Sequence, residues 1–308
     1  MYERYYGLRE APFKLTSNPR YLLLTSGHAE ALNSVQYGIS SRRGVIVFVG
    51  EAGTGKTTVI RAVIAAAPAG TRIVQINNPL LTRSEFLHCL AEGFGLDVGL
   101  AASKPRLLAA LTDLLDSLAR QGTQTALIVD EAHALPFEIL EEVRLLANIE
   151  TDDEKLLPVV LVGQPELSDR LNEPNLRQLK QRVALRCTLG ALGLRETAAY
   201  IAGRIRVAGG DASQMFGHDS VVLIHRCSRG VPRVISVICD NALVTGFAID
   251  ERPVGQDTVR QVCRDLDIEV PEVPSEVRPI RSPAADPVGA IRRVAIPERV
   301  NRGRMFGF

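Results

Sequence analysis

The chain has 308 residues, 46% of them hydrophobic and 23% charged, with a formal net charge of +1 at pH 7. That length holds one large domain, or a domain plus a smaller partner, with an ample buried core, and the composition is ordinary for a soluble globular protein. A near-neutral chain has no global basic field that would make nucleic acid an obligate partner.

The opening MYERYYGLREAPFKL lacks the apolar centre of a signal peptide, so a soluble, cytoplasmic protein is expected. Among the most apolar runs is GVIVFVG (44–50), far shorter than the ~20 residues that span a bilayer. It begins a series of strand-length apolar runs, continued by RIVQIN (72–77), TALIVD (125–130), PVVLVG (158–163) and VALRCTL (183–189). Little polar alternation within these runs predicts strands covered on both faces of a parallel sheet. Between them TRSEFLHCLAEGFG opens with the capping box Thr82–Glu85 and closes on glycines. SKPRLLAALTDLLDSLARQG has Ser103 as N-cap, Pro105 in its first turn and Gly122 beyond its end. Such β-α alternation implies a doubly wound α/β core.

After Gly190 the strand pattern stops. LRETAAYIAGRIRVAGG, HDSVVLIHRCSRG, VPRVISVICDNALVTGFA and GQDTVRQVCRDLD predict four helices separated by Gly and Pro signals. From Val270 onward six prolines and seven arginines stand against four acidic residues, a texture that predicts a segment without fixed structure, either a solvated linker or a basic docking arm. The expected plan is an N-terminal segment (1–43), an α/β core (44–192), a small all-α lid (193–268) and a flexible tail (269–308). The five cysteines are scattered and none forms a CxxC pair, which suits a reducing cytoplasm better than disulfides or zinc.

GEAGTGKT (50–57) matches G-x-x-x-x-G-K-[ST] without a mismatch, directly after a strand and at the start of a helix. Gly50, Glu51, Ala52, Gly53, Thr54 and Gly55 would turn their backbone N–H groups onto phosphates, with Thr58 in the first helical turn. Lys56 would bridge the β- and γ-phosphates, and the Thr57 hydroxyl would ligate Mg²⁺. Asp130 ends an apolar strand, where its carboxylate reaches the Mg²⁺ shell. Glu131 follows it, placed to orient or deprotonate the attacking water. The next letters complete DEAH, a string that also names a class of helicases. No second RecA-like half with a QRxGRxGR pattern follows, so the helicase reading fails. His133 shows no partner in the sequence, and structural and functional roles both stay open for it.

The order of these motifs with PVVLVGQPEL, an expected arginine-bearing helix NLRQLKQRV and the RGVPRVI of the helical region resembles the AAA+ ATPases. Within them it is most similar to the general secretion pathway protein A family, whose N-terminal pattern also appears as YYGLREAPFKLTSNPRYLLLTSGHAEALNSVQYGI. The resemblance covers about residues 2–267. It implies ATP hydrolysis with Mg²⁺, Gln164 at the sensor-1 position (where Asn or Thr is commoner) and Arg233 at sensor 2. Arg182 resembles the arginine finger that completes a neighbour's site in a homo-oligomeric ring, with Arg177 competing for the role. Tyr21 would lie against adenine or in the core. The implied role is an ATPase serving a cell-envelope secretion or export partner, cytoplasmic or peripheral at the inner membrane through that partner. A DNA-associated regulator like the transposition helper ATPases is the alternative.

Overall fold

A computed structural model describes residues 1–15, 25–77 and 80–271. Tyr21 and the tail beyond residue 271 lie outside the described residues. The five predicted strands form one parallel sheet, β1 (Val45–Gly50), β2 (Arg72–Ile76), β3 (Thr125–Val129), β4 (Val159–Gly163) and β5 (Val183–Leu189), in the order β2-β3-β4-β1-β5. β1, β3 and β4 are buried along their whole length. Their alternate side chains enter two separate cores. Ile46, Phe48, Ala126, Ile128, Val160 and Val162 pack with α2 (Ser26–Ser40) and α3 (Lys56–Ala65) on one face. Val45, Val47, Leu127, Val129, Val159 and Leu161 pack on the other with α4 (Arg83–Gly93), α5 (Lys104–Arg120) and α6 (Phe137–Leu146). A strand with both faces covered has no polar side, which is why these runs read as continuous apolar stretches; each fully buried Val, Leu or Ile contributes about 1.5–3 kcal/mol.

Both edge strands depart from that expectation, β2 with Arg72, Ile73 and Gln75 half-buried and, more fully, β5. The side chains of β5 alternate, with Arg186 and Thr188 exposed and Cys187 and Leu189 buried. It is an edge strand with β1 as its sheet neighbour and α2 packed against it, so one face meets solvent. Charged outward residues on such an edge oppose pairing with another sheet.

The capping box of α4 forms as predicted: the Glu85 N–H donates to Thr82 Oγ1, and the Thr82 N–H donates to Glu85 Oε2 at 2.7 Å. Ser103 precedes α5 but makes no side-chain cap. Leu107, Leu111 and Leu115 recur at four-residue spacing and are buried, the single apolar stripe of an amphipathic helix. Buried Glu142 of α6 accepts from Arg83 at 2.7 Å and Lys104 at 2.8 Å, tying three helices together.

After β4 come α7 (Glu166–Arg170), a 3₁₀ turn at Pro174–Leu176 and the four-residue α8 (Arg177–Lys180). The helix expected over NLRQLKQRV is therefore short, and Arg182 falls in the turn before β5. The four predicted C-terminal helices are α9 (Leu194–Val207), α10 (His218–Ser228), α11 (Pro232–Ala248) and α12 (Gln256–Asp265). Their shared core also takes in Tyr6, Leu8 and Phe13, which follow the short α1 (Tyr2–Tyr5). Buried Arg204 of α9 donates to the carbonyls of Pro12 (2.7 Å) and Lys14 (3.0 Å), and the Arg9 N–H donates to Ala208 O. The described start of the N-terminal segment is thus part of the helical layer.

Candidate functional site

Residues 50–56 turn sharply between β1 and α3. Gly53 and Gly55 hold φ of +80° and +107°, a left-handed region that side chains rarely adopt. Both also admit close neighbours: a Cβ on Gly53 would sit 2.8 Å from Arg233 Cβ, and one on Gly55 would sit 2.8 Å from His28 Nε2. The loop ends at the N-terminus of α3, where unpaired backbone N–H groups and the helix dipole favour an anion.

Lys56 is buried, its Nζ donating to Gly50 O at 2.6 Å and Glu51 O at 3.0 Å. Burial holds its ammonium below the ordinary lysine value, opposed by the negative charges of Glu131, Asp130, Glu51 and Glu166. Thr57 Oγ1 lies 3.4 Å from Asp130 Oδ2, bringing the ends of β1 and β3 together across the intervening β4. Two hard oxygen ligands converging beside the glycine loop would suit Mg²⁺, which takes few protein ligands. Among the described residues no cluster of three or more His, Cys, Asp and Glu offers a different metal site.

Asp130 is buried, and its Oδ1 accepts the Glu131 N–H at 2.9 Å. Glu131 has φ 53°, ψ 32°, a left-handed conformation uncommon outside glycine. Its side chain is 44% exposed, and its charge acts on Lys56 of the loop. Gln164, directly after β4, lies between these elements: its Nε2 is 3.0 Å from His133 Nε2. His133 Nδ1 in turn is 3.5 Å from Glu131 Oε2, and its carbonyl accepts from Arg170 Nη1.

Arg233 reaches the loop from the helical layer. Its N–H donates to Gly53 O at 3.2 Å, and its side chain is exposed at the start of α11. His28 of α2 packs from the other side. Its Nε2 contacts Thr54 O at 3.1 Å and its Nδ1 contacts Thr25 Oγ1 at 2.9 Å. With a carbonyl at Nε2 the ring proton sits there, and Nδ1 accepts from the threonine. Burial pushes its pKa down, with the Thr54 carbonyl opposing.

Arg182 and Arg177 are not brought to this constellation. Val45 pairs with Val183 and Gly50 with Leu189 in the parallel β1–β5 register, so Arg182 stands at the amino end of the sheet and the loop at the carboxyl end. At about 3.3 Å per residue the two are roughly 20 Å apart. Arg182 is half-buried with its Nε unpartnered, whereas Arg177 is exposed on α8.

His28, His133 and Arg170 are the residues that sequence reasoning missed or left open. A lone histidine gives no local signal when its partner lies 26 or 31 positions away.

An AAA-domain family model matches residues 39–171. General secretion pathway protein A of Aeromonas hydrophila is 41% identical over 248 residues, 80% of this chain and 45% of that protein. The ATP-dependent target DNA activator B of Escherichia phage Mu is 28% identical over 156 residues, 49% of this chain and 45% of its own length. The chain thus spans about half the length of the curated relatives it matches. Among solved structures, the Aeropyrum pernix ORC2 protein in its ADPNP–ADP complexes superposes with a TM-score of 0.60 at 20% identity, covering 83% of this chain and 71% of that one. At that identity the likeness concerns the fold.

Proposed function

Since the chain belongs to the AAA+ ATPases, in the branch of general secretion pathway protein A, we propose that it binds and hydrolyses ATP with Mg²⁺ and uses the nucleotide state to remodel or assemble a partner. The observation that carries this reading is the convergence of Lys56, Thr57, Asp130 and Glu131 from two non-adjacent strands at one carboxyl edge of the sheet.

Residues 50–58 would cradle the triphosphate, with Lys56 leaving the Gly50 and Glu51 carbonyls for the β- and γ-phosphates. Thr57 and Asp130 would hold Mg²⁺, which when bound neutralises charge developing on the phosphate oxygens. Glu131 would hold the attacking water by hydrogen bonding and draw its proton as the oxygen approaches phosphorus. Gln164 would donate to the γ-phosphate or the water, and Arg233 would report lid position to the phosphates. Arg182, too far from its own site, would act on the nucleotide of an adjoining copy, which makes a closed ring the natural assembly. Arg177 is the alternative finger.

Lys56→Ala is expected to abolish nucleotide binding in a fluorescent-nucleotide titration. Glu131→Gln is expected to keep binding and to lower steady-state turnover by about 10²–10⁴-fold. Unchanged affinity in the first, or unchanged turnover in the second, overturns the assignment.

The client we infer is a cell-envelope secretion or export component. Among the described residues no helix is long and apolar enough to cross a membrane; we place the chain in the cytoplasm or peripherally at the inner membrane through that partner. The match to a DNA activator favours a second reading, ATP-dependent assembly on DNA. Filter binding to duplex DNA at several salt concentrations, with ADP and with a non-hydrolysable ATP analogue, separates the two. Salt-sensitive binding that requires the analogue selects the DNA reading.

A further inference from the structure

The His133 imidazole lies between two groups that the hydrolytic reading uses separately. On one side is Gln164, whose side-chain nitrogen sits 3.0 Å from ring Nε2. On the other is Glu131, whose Oε2 sits 3.5 Å from ring Nδ1. An amide NH₂ can only donate, so the short contact requires Nε2 to be bare and the ring proton to lie on Nδ1, facing the carboxylate. The Gln164 backbone N–H approaches the same Nδ1 at 3.4 Å. That bond would need the other tautomer, with Nδ1 bare and the proton on Nε2; the closer amide nitrogen at Nε2 opposes that tautomer and keeps Nδ1–H toward Glu131.

The turn that carries this ring is also held by contacts outside the imidazole. Ala132 and Leu135 are buried in the sheet core, and Arg170 Nη1 holds the His133 carbonyl from α7. The Gly163 backbone closes the other side, where a Cβ would come within 3.2 Å of the His133 nitrogen. The ring itself is only 18% exposed, whereas the Glu131 side chain is 44% exposed and stands on a left-handed backbone. The Glu131 carboxylate on that backbone faces His133 at 3.5 Å and also feels the charge of Lys56.

We propose that His133 is a positioning residue that joins Gln164 to Glu131, so that the orientation of the glutamine amide sets the direction of the glutamate carboxylate. The Gln164 amide carries two hydrogens: one holds Nε2 and keeps the ring proton on Nδ1, where it fixes the Glu131 carboxylate, and the other is left for the phosphate or the attacking water. The proposal rests on the hydrolytic reading above and assigns the coupling within that site.

The test is a double-mutant cycle on the full chain with His133→Ala, Gln164→Ala and the pair. ATP turnover, nucleotide affinity and thermal unfolding are read in parallel, with His133→Asn as a second variant. Asparagine can reproduce the Nδ1 side of the ring and not the Nε2 side, so it should not restore the link. His133→Ala and His133→Asn are each expected to lower kcat about tenfold or more while affinity and unfolding midpoint hold, and the double variant should be no slower than Gln164→Ala alone. Unchanged kcat, a loss in KM alone, full rescue by asparagine, or losses that multiply in the double variant overturn the coupling. A wild-type chain that binds ATP but never hydrolyses it overturns the hydrolytic reading and this proposal together; wild-type turnover with either of those His133 or double-variant results overturns the proposal alone.

Discussion

His28 and Lys56 bracket the glycine loop, and both are shifted by the same cause, burial that disfavours their charged forms. For His28 the consequence is a pH dependence with a definite sign. Its folded pKa lies below the ordinary histidine value of about 6.5, so between the two values the unfolded chain binds the proton more readily. Its contribution to stability is therefore complete above about pH 6.5 and declines as pH falls through the lowered value. The protonated ring would also lose the acceptor that Thr25 uses at Nδ1. Urea unfolding at a series of pH values should show a loss of stability on acidification that is smaller in His28→Gln, whose amide can still donate to the Thr54 carbonyl. His225, also held low by burial, is present in both chains and cancels in the comparison. Equal pH slopes would remove His28 from this role.

At the scale of elements, local rules account for α4 and α5 and fail at α8. The Thr82–Glu85 box is a purely local device, legible because both partners lie within one turn. Thr82→Ala should cost about 1 kcal/mol in chemical denaturation, as expected for a lost N-cap, without changing nucleotide affinity. The start of α11 is set by contact instead. Gly230 has φ +74°, a Cβ there would fall 2.1 Å from Leu192 O, and its carbonyl accepts the Leu192 N–H at 2.8 Å. Gly230→Ala must therefore shift the helix start that carries Arg233 against Gly53. We expect ATP binding to weaken by about tenfold or more, the equivalent of one charge-assisted hydrogen bond of ~1.5–3 kcal/mol, with the loop sequence untouched. Wild-type affinity in that variant would show that Arg233 does not read the phosphates.

For the whole molecule, the decisive quantity is the distance between the two ends of the sheet. Parallel pairing of β1 with β5 puts the glycine loop and Arg182 at opposite ends of adjacent strands, so an active site that needs this guanidinium needs a second copy of the chain. Lys56→Ala and Arg182→Ala should each be inactive alone, the first lacking nucleotide and the second lacking the finger. A mixture should regain turnover, because a nucleotide bound by the Arg182→Ala copy can meet an intact arginine from the Lys56→Ala copy. A mixture as inactive as its components would rule out Arg182 in trans and turn attention to Arg177. The molecule's second core has the same long-range character: Tyr6, Leu8 and Phe13 join helices nearly two hundred residues away, with Arg204 pinning the Pro12 and Lys14 carbonyls.

Read alone, the residues determined the strands, the glycine loop and the acidic pair Asp130–Glu131. Each of these is written in consecutive positions, through the period of an apolar run or the turn that a glycine permits. The edge character of β5, the His28 support of the loop, the His133 bridge and the remoteness of Arg182 were decided only by tertiary structure. Each is a relation between segments distant along the chain, and such pairings follow from how the whole set of apolar faces packs, which no single stretch encodes.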